Sequence, residues 1–179
     1  TFSEIEFDEM ETFEHTKCKP LSIPLVVTKE RLVLAVGLAQ MPAKGHLAKI
    51  SRKKYGPRPD HRQSINRAAL LSIQASIAPE CVITTDEKPS YPSLLREFFK
   101  HAILKTTNGG RGCITGYGEL KKKGFDPMFA LNHTAAMFRD RLATLRRRTW
   151  TTTKKPENLL SLLKIYAAAH NRAIFKTLG

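Results

Sequence analysis

Two short apolar segments that each finish in an aspartate constrain the fold of this chain most. Ile5 and Phe7 alternate with acidic residues and are followed directly by Asp8, and the run Cys81–Thr85 leads into Asp86. β-Branched and aromatic residues favour strands, so we expect two neighbouring strands that bring these carboxylates together. Paired carboxylates are typical ligands of divalent cations, and such a cation in a very basic protein indicates phosphodiester chemistry.

The charge of the chain favours a polyanionic partner. The 179 residues include 30 Lys and Arg against 16 Asp and Glu, which gives a net charge of +14 and a pI near 10.0. Six of the acids lie in the first 14 residues, where no Lys or Arg occurs, so the remainder is strongly basic. This asymmetry is typical of nucleic-acid-binding proteins, although a solubilising basic surface has the same composition. The side chains expected to contact DNA are Arg52, Lys53, Lys54, Lys121, Lys122, Lys123, Arg139, Arg146, Arg147 and Arg148.

Several protein classes are excluded by what the sequence lacks. It has no run of 18 apolar residues, so we expect no membrane span, and its acidic start is unlike a signal peptide. Cys18, Cys81 and Cys113 form no CxxC pair, which argues against a zinc knuckle and fits a reduced, cytoplasmic protein. We expect residues 1–179 to form a single domain. Because the chain begins with Thr1, we also expect an upstream DNA-recognition module to be missing.

The order of the predicted elements indicates an α/β fold. Three strands fill the first 41 residues, a basic loop follows over Pro42–Pro59, and the last helix opens at Pro156. The elements in chain order are βββαβαβαα, with the third helix running from Asp126 into the arginine cluster. This order is typical of the RNase H-like fold, a mixed five-stranded sheet flanked by helices in which the first and fourth strands are neighbours. Asp8 ends the first of these strands, and Asp86 ends the fourth.

Three motifs, in this order, resemble those of a known protein family. They are Glu6-Phe7-Asp8-Glu9-Met10; Ile83-Thr84-Thr85-Asp86 with Ser90-Tyr91-Pro92; and Leu131-Asn132-His133-Thr134 with the arginine-rich stretches 138–142 and 145–149. The set resembles bacterial insertion-sequence transposases of the DDE class, and within them the branch related to the insertion sequence numbered one. The similarity runs from about residue 3 to about residue 171, which is nearly the whole chain.

The resemblance implies a catalytic domain that hydrolyses and joins DNA strands at transposon ends with two Mg²⁺ or Mn²⁺ ions. Asp8 and Asp86 match the first two acids of the family. At the position of the third acid this chain has Asn132, whose neutral amide oxygen can still ligate magnesium. Glu119 is the alternative third ligand, whereas Asp126 is more simply a helix cap. The resemblance also implies a homodimer or larger synaptic assembly on DNA in the bacterial cytoplasm, associated with the nucleoid.

Two other functions stay open at this stage. One is a catalytically weakened DNA-binding or assembly module of the same fold, and the other is a cellular RNase H-like nuclease. Among further residues, we expect His133 to make a packing or phosphate contact and Arg139 to grip a phosphate near the cleavage site. Glu9 is expected to be solvated or paired with a basic residue, and Trp150 is expected in the core.

Overall fold

The computed structural model describes residues 1–108, 126–146 and 150–178, and these form an open mixed sheet flanked by helices. The sheet has the order β3-β2-β1-β5-β6, with the short β4 paired to β2. The strands are β1 (Phe2–Phe13), β2 (Pro20–Thr28), β3 (Val33–Val36), β4 (Ala39–Gln40), β5 (Ile77–Asp86) and β6 (Ile103–Thr107). The helices are α1 (Leu47–Tyr55), α2 (Arg62–Ile73), α3 (Tyr91–Phe98), α4 (Phe129–Arg141) and α5 (Pro156–Leu178).

Strand β1 lies at the centre of the sheet and has a different kind of neighbour on each side. It runs antiparallel to β2, with a ladder from Ile5 opposite Thr28 to Phe13 opposite Pro20. It runs parallel to β5, which in turn is parallel to β6. The β5 ladder ends where Phe7 pairs with Thr85, so the second half of β1 is paired to β2 alone.

Two apolar clusters cover the two faces of the sheet. One joins Phe7 on β1 to Leu70 on α2 and Tyr91 on α3. The other joins Leu25 on β2 to α4 and α5. The central strands therefore bury both faces, as expected for a layered α/β domain. No helix in the described part of the chain is long and apolar enough to cross a membrane.

The structure adds two elements to the predicted order. A short strand, β4, follows β3, and helix α1 occupies the middle of the range that was predicted to be a loop. Helix α1 is hard to predict because Ser51 is the residue that it buries. The Ser51 hydroxyl donates a hydrogen bond to the carbonyl oxygen of Cys18 at 2.6 Å, which docks α1 on the turn between β1 and β2.

Two predicted boundaries are wrong. The repeat of Ile65, Ala69, Ile73 and Ile77 predicts a helix over residues 61–78 that Pro79 ends, but α2 ends at Ile73, and Pro79 lies inside β5. Proline is tolerated there because the β1–β5 register shifts between Phe2 and Glu4, where the ladder is interrupted. The third predicted helix was expected to reach the arginine cluster, but α4 ends at Arg141.

Candidate active site

The structure brings Asp8 and Asp86 together. Glu6 and Phe7 pair with Thr84 and Thr85 across the parallel ladder, so Asp8 is next in register with Asp86, the last residue of β5. Asp8 was predicted to end β1 but lies in its middle, because pairing with β2 continues to Phe13. The pairing with β5 ends at Phe7, directly before Asp8, so the two carboxylates lie where the parallel strands β1 and β5 separate.

The electrostatic surroundings of Asp8 are unfavourable for its charged form. Burial, together with the negative charge of Asp86, raises the pKa of Asp8 to about 6. The Tyr91 hydroxyl lies 3.0 Å from Oδ1 of Asp8, and the backbone N–H of Glu9 donates to the same oxygen at 2.6 Å. These bonds fix one oxygen of Asp8 without cancelling the repulsion between the two aspartates.

Glu9 is buried beside the aspartate pair, so the solvated alternative for this residue is wrong and the paired one is confirmed. Its side chain is 5% exposed and forms an ion pair with Lys88, while Ser22 Oγ donates to Oε1 at 2.9 Å. The Tyr91 hydroxyl also lies 3.0 Å from Oε2 of Glu9, so the same phenol connects Glu9 with Asp8. Burial lowers the pKa of Lys88, whose ammonium nitrogen lies 4.7 Å from the centre of the Tyr91 ring.

Asn132 lies apart from this network. It occupies the first turn of α4, its side chain is exposed, and its amide nitrogen donates to Oδ2 of Asp126 at 2.8 Å. Within the described ranges, no hydrogen bond joins Asn132 to either of the paired aspartates. Asp126 also accepts the backbone N–H of Met128 at 3.1 Å, as expected of an acid at a helix start. The alternative third ligand, Glu119, lies outside the described residues.

A second buried acid, Glu6, was missed at the sequence level. It is 5% exposed, and its Oε2 accepts the backbone N–H of Leu131 at 2.7 Å, at the N-terminus of α4. Burial raises the pKa of Glu6, and its bonds to the α4 backbone oppose that shift. A carboxylate at a helix N-terminus stabilises the free N–H groups there. The alternation of Glu4, Glu6 and Asp8 could have indicated a polar face of β1, but not that α4 covers it.

The oxygen ligands of the aspartate pair suit a magnesium or manganese ion. Among the residues that the structure describes, no three His, Cys, Asp or Glu side chains cluster closely enough to hold a metal. Magnesium, however, is commonly held by one or two carboxylates, with water and substrate phosphates as the other ligands. Asp8 and Asp86 provide this minimal set, and the positive charge of an ion would relieve their mutual repulsion.

The predicted DNA-binding residues fall in several places. Arg52, Lys53 and Lys54 are exposed on α1, in a helix rather than a loop. Arg139 and Arg146 line a shallow surface depression, and a guanidinium nitrogen of Arg146 donates to the carbonyl oxygen of Asp140 at 3.1 Å. The remaining members of the set lie outside the described residues: Lys121, Lys122, Lys123, Arg147 and Arg148.

Trp150 is fully exposed, which contradicts its expected place in the core. The chain near it is fixed by Thr153, whose carbonyl oxygen accepts the backbone N–H of His15 at 2.9 Å. Leu145 before it and Leu159 after it are the residues that enter the core. Trp150 therefore lies on the surface, three residues before the buried Thr153 that contacts the β1–β2 turn.

Comparisons with protein-family models, curated proteins and solved structures found no significant match to this chain.

Proposed function

We propose that this chain is the catalytic domain of a DNA transposase, which hydrolyses phosphodiester bonds and transfers DNA strands with Mg²⁺ or Mn²⁺. The observation that carries the proposal is the meeting of Asp8 and Asp86 where β1 and β5 part, in a protein of net charge +14. The open mixed sheet flanked by helices supports the RNase H-like fold that we propose for this domain. The resemblance of the three sequence motifs gives the proposal its substrate, the DNA ends of a transposon.

Each residue of the site has a distinct part in this proposal. Asp8 and Asp86 would hold the ions, and bound divalent cations supply Lewis-acid activation of a phosphate and of the attacking oxygen. Tyr91 and the backbone of Glu9 orient Asp8 by holding one of its two oxygens. The exposed basic side chains on α1 attract and position the phosphate backbone. We further propose a homodimer or larger synaptic assembly, which light scattering with and without DNA would detect.

A nicking assay on supercoiled plasmid with Mn²⁺ or Mg²⁺ tests the proposed activity. We expect the wild-type chain to nick the plasmid, and Asp8→Asn and Asp86→Asn each to lower the rate at least about 100-fold. Asp140→Asn is the matched control, because it removes one exposed acid on α4 that the site does not use. An Asp8→Asn protein that nicks as fast as the control would remove the assigned site.

A second candidate function is a DNA-binding or assembly module without catalytic activity. The bond of Asn132 to Asp126, rather than to the aspartate pair, favours it. Such a module would bind duplex DNA with the same strong salt dependence but would nick no substrate with either ion. The same assay with an RNA–DNA hybrid distinguishes the third possibility, a cellular nuclease, which would prefer the hybrid to duplex DNA.

A further inference from the structure

We propose that Arg31 and His133 form a binding site for a phosphate of the DNA backbone, separate from the metal-binding aspartates. The inference rests on the proposed function in one respect, which is that the ligand is DNA. Three features of the structure carry it: a strained backbone at Arg31, a clamp that holds this strain in place, and a guanidinium whose hydrogen-bond partner among the described residues is an imidazole.

Arg31 has a backbone conformation that arginine rarely adopts. It lies in the turn between β2 and β3 with φ of 71°, in the left-handed region. A residue with a Cβ atom in this region costs about 1 kcal/mol relative to glycine. Glycine would relieve the strain, so the presence of arginine here points to a role for its side chain.

Helix α5 holds this turn in place. The ring of His170, which is buried, donates a hydrogen bond from Nε2 to the carbonyl oxygen of Arg31 at 2.9 Å. The side chain of Asn171 bonds both the N–H and the carbonyl oxygen of Val33, at 2.7 and 2.8 Å. These bonds fix Asn171, in the C-terminal part of α5, to the start of β3. The clamp holds the backbone of Arg31, whose side chain meets α4 at His133.

The guanidinium of Arg31 bonds a neutral partner. Its Nη1 donates to Nδ1 of His133 at 3.3 Å, and no ion pair with an acid is present for it in the described ranges. The other cation of this turn, Lys29, pairs with the carboxylate of Glu4. Burial and the charge of Arg31 lower the pKa of His133, which keeps its imidazole neutral. Because Nδ1 accepts, the ring proton lies on Nε2, and the pair has spare N–H donors from both side chains.

These donors match the chemistry of a phosphodiester. A guanidinium binds two phosphate oxygens through parallel N–H groups, and a neutral imidazole adds a third donor. His133 lies in the N-terminal half of α4, next to Asn132. The first turn of α4 contacts Glu6, and Glu6 and Asp8 project from the same face of β1 because they are two residues apart in a strand. The site therefore lies on the α4 side of the sheet, to which strand alternation also assigns Asp8. A duplex engaged there would reach Arg31 through its backbone, which carries no sequence information.

Binding of a 20-bp fluorescent duplex without divalent metal, measured by anisotropy over a series of salt concentrations, tests this site. We expect Arg31→Gly and His133→Ala to weaken binding about 5- to 20-fold, and Arg31→Gly to lower the salt slope by about one. Arg31→Gly should keep or raise the melting temperature, because glycine adopts this φ without strain. Lys29→Ala is the matched control: it removes a cation from the same turn, but one that Glu4 already neutralises, so its affinity should change less than about twofold.

The outcomes separate this inference from the proposed function. If Arg31→Gly binds the duplex with the affinity and the salt dependence of the wild type, the phosphate site is overturned, whether or not the wild type nicks plasmid. Weakened binding by Arg31→Gly in a chain that nicks no plasmid would support the site and contradict the transposase proposal. If Arg31→Gly has a lower melting temperature than the wild type, its affinity is not informative, and His133→Ala provides the test. A loss of duplex affinity in His133→Ala supports the site, and an unchanged affinity overturns it. A wild-type chain that binds no duplex overturns both.

Discussion

Glu6 and Asp8 lie two residues apart on the same face of β1, and they differ in what meets their carboxylates. Burial raises the pKa of both groups. Glu6 accepts a backbone N–H from the N-terminus of α4, which stabilises its negative charge. Asp8 instead meets a second carboxylate, Asp86, which destabilises its charge. Strand β1 therefore places an acid in a desolvated position twice. The group that contacts the carboxylate determines whether the acid stabilises the fold, as at Glu6, or would be stabilised by a bound cation, as at Asp8.

Glu9 is an intermediate case, because it already has a cation. The ion pair with Lys88 and the bond from Ser22 satisfy its carboxylate within the protein. Glu9 therefore has little to offer a metal ion, although it is adjacent to Asp8. Among the three acids, Asp8 is the one that faces a second carboxylate, and Tyr91 and Lys88 offset its unfavourable surroundings only in part.

The largest effect on stability is expected at Glu6. Glu6→Ala removes the anion at the start of α4 and leaves a cavity beneath the helix, so it should lower the free energy of unfolding by about 3 kcal/mol. Chemical denaturation measures this loss. Glu6→Gln keeps an acceptor oxygen and should lose about half as much. A Glu6→Ala protein with the same free energy of unfolding as the wild type would show that Glu6 does not stabilise the fold.

Removing the cation that pairs with Glu9 should have the next largest effect. Lys88→Met leaves the buried Glu9 carboxylate without its ion-pair partner and should cost about 2 kcal/mol at pH 8. The double variant Lys88→Met/Glu9→Gln should recover most of that loss. Arg67→Ala is the control, because it breaks the exposed pair with Glu97 and should cost at most about 0.5 kcal/mol. Equal losses in the two single variants would contradict the burial of Glu9 as the cause.

Asp8→Asn should stabilise the metal-free protein, and the gain should depend on pH. The folded pKa of Asp8, about 6, lies above its unfolded value, so the fold loses stability as pH rises through that range. The substitution should therefore add about 1 to 2 kcal/mol at pH 8 and nothing below about pH 3, where the carboxyl is protonated in both states. Thermal melts in EDTA at the two pH values measure this difference. An Asp8→Asn protein that is stabilised equally at the two pH values would rule out repulsion between Asp8 and Asp86 as the source of the stabilisation.

The sequence was sufficient to predict the acids that meet and the kind of sheet that brings them together. Alternating apolar residues before Asp8 and the apolar run before Asp86 indicated two strands, and their pairing follows from the α/β order. Local pattern was also sufficient for α3, with a proline in its first turn, and for α5, which opens at Pro156. In these elements the local signals agree with the tertiary packing.

The rest depended on contacts that no local pattern contains. Glu6 and Glu9 look like surface acids in the sequence, and only α4 and Lys88 make them buried groups. Trp150 is apolar enough for the core, but the anchoring of Thr153 to the β1–β2 turn carries it over the surface. The importance of Arg31 depends on φ and on α5, which lies about 140 residues further along the chain.

The smallest effect is expected at Asn132. Asn132→Ala breaks the bond to Asp126 and should cost about 0.5 kcal/mol, with less than about a twofold change in the Mn²⁺ affinity of the DNA-free protein. Isothermal titration calorimetry measures the affinity. A tenfold loss would mean that α4 brings Asn132 to the aspartates when metal binds, as the resemblance to DDE transposases implies.

The binding of Mn²⁺ to the wild type, Asp8→Asn and Glu6→Gln, followed by electron paramagnetic resonance at pH 8, tests the central claim most directly. Asp8 is ionised at this pH, so the wild type should bind Mn²⁺, and affinity should fall as pH drops below about 6. We predict at least a tenfold loss of affinity in Asp8→Asn and an unchanged affinity in Glu6→Gln. Equal Mn²⁺ binding by Asp8→Asn and the wild type would contradict a metal site at the meeting of β1 and β5.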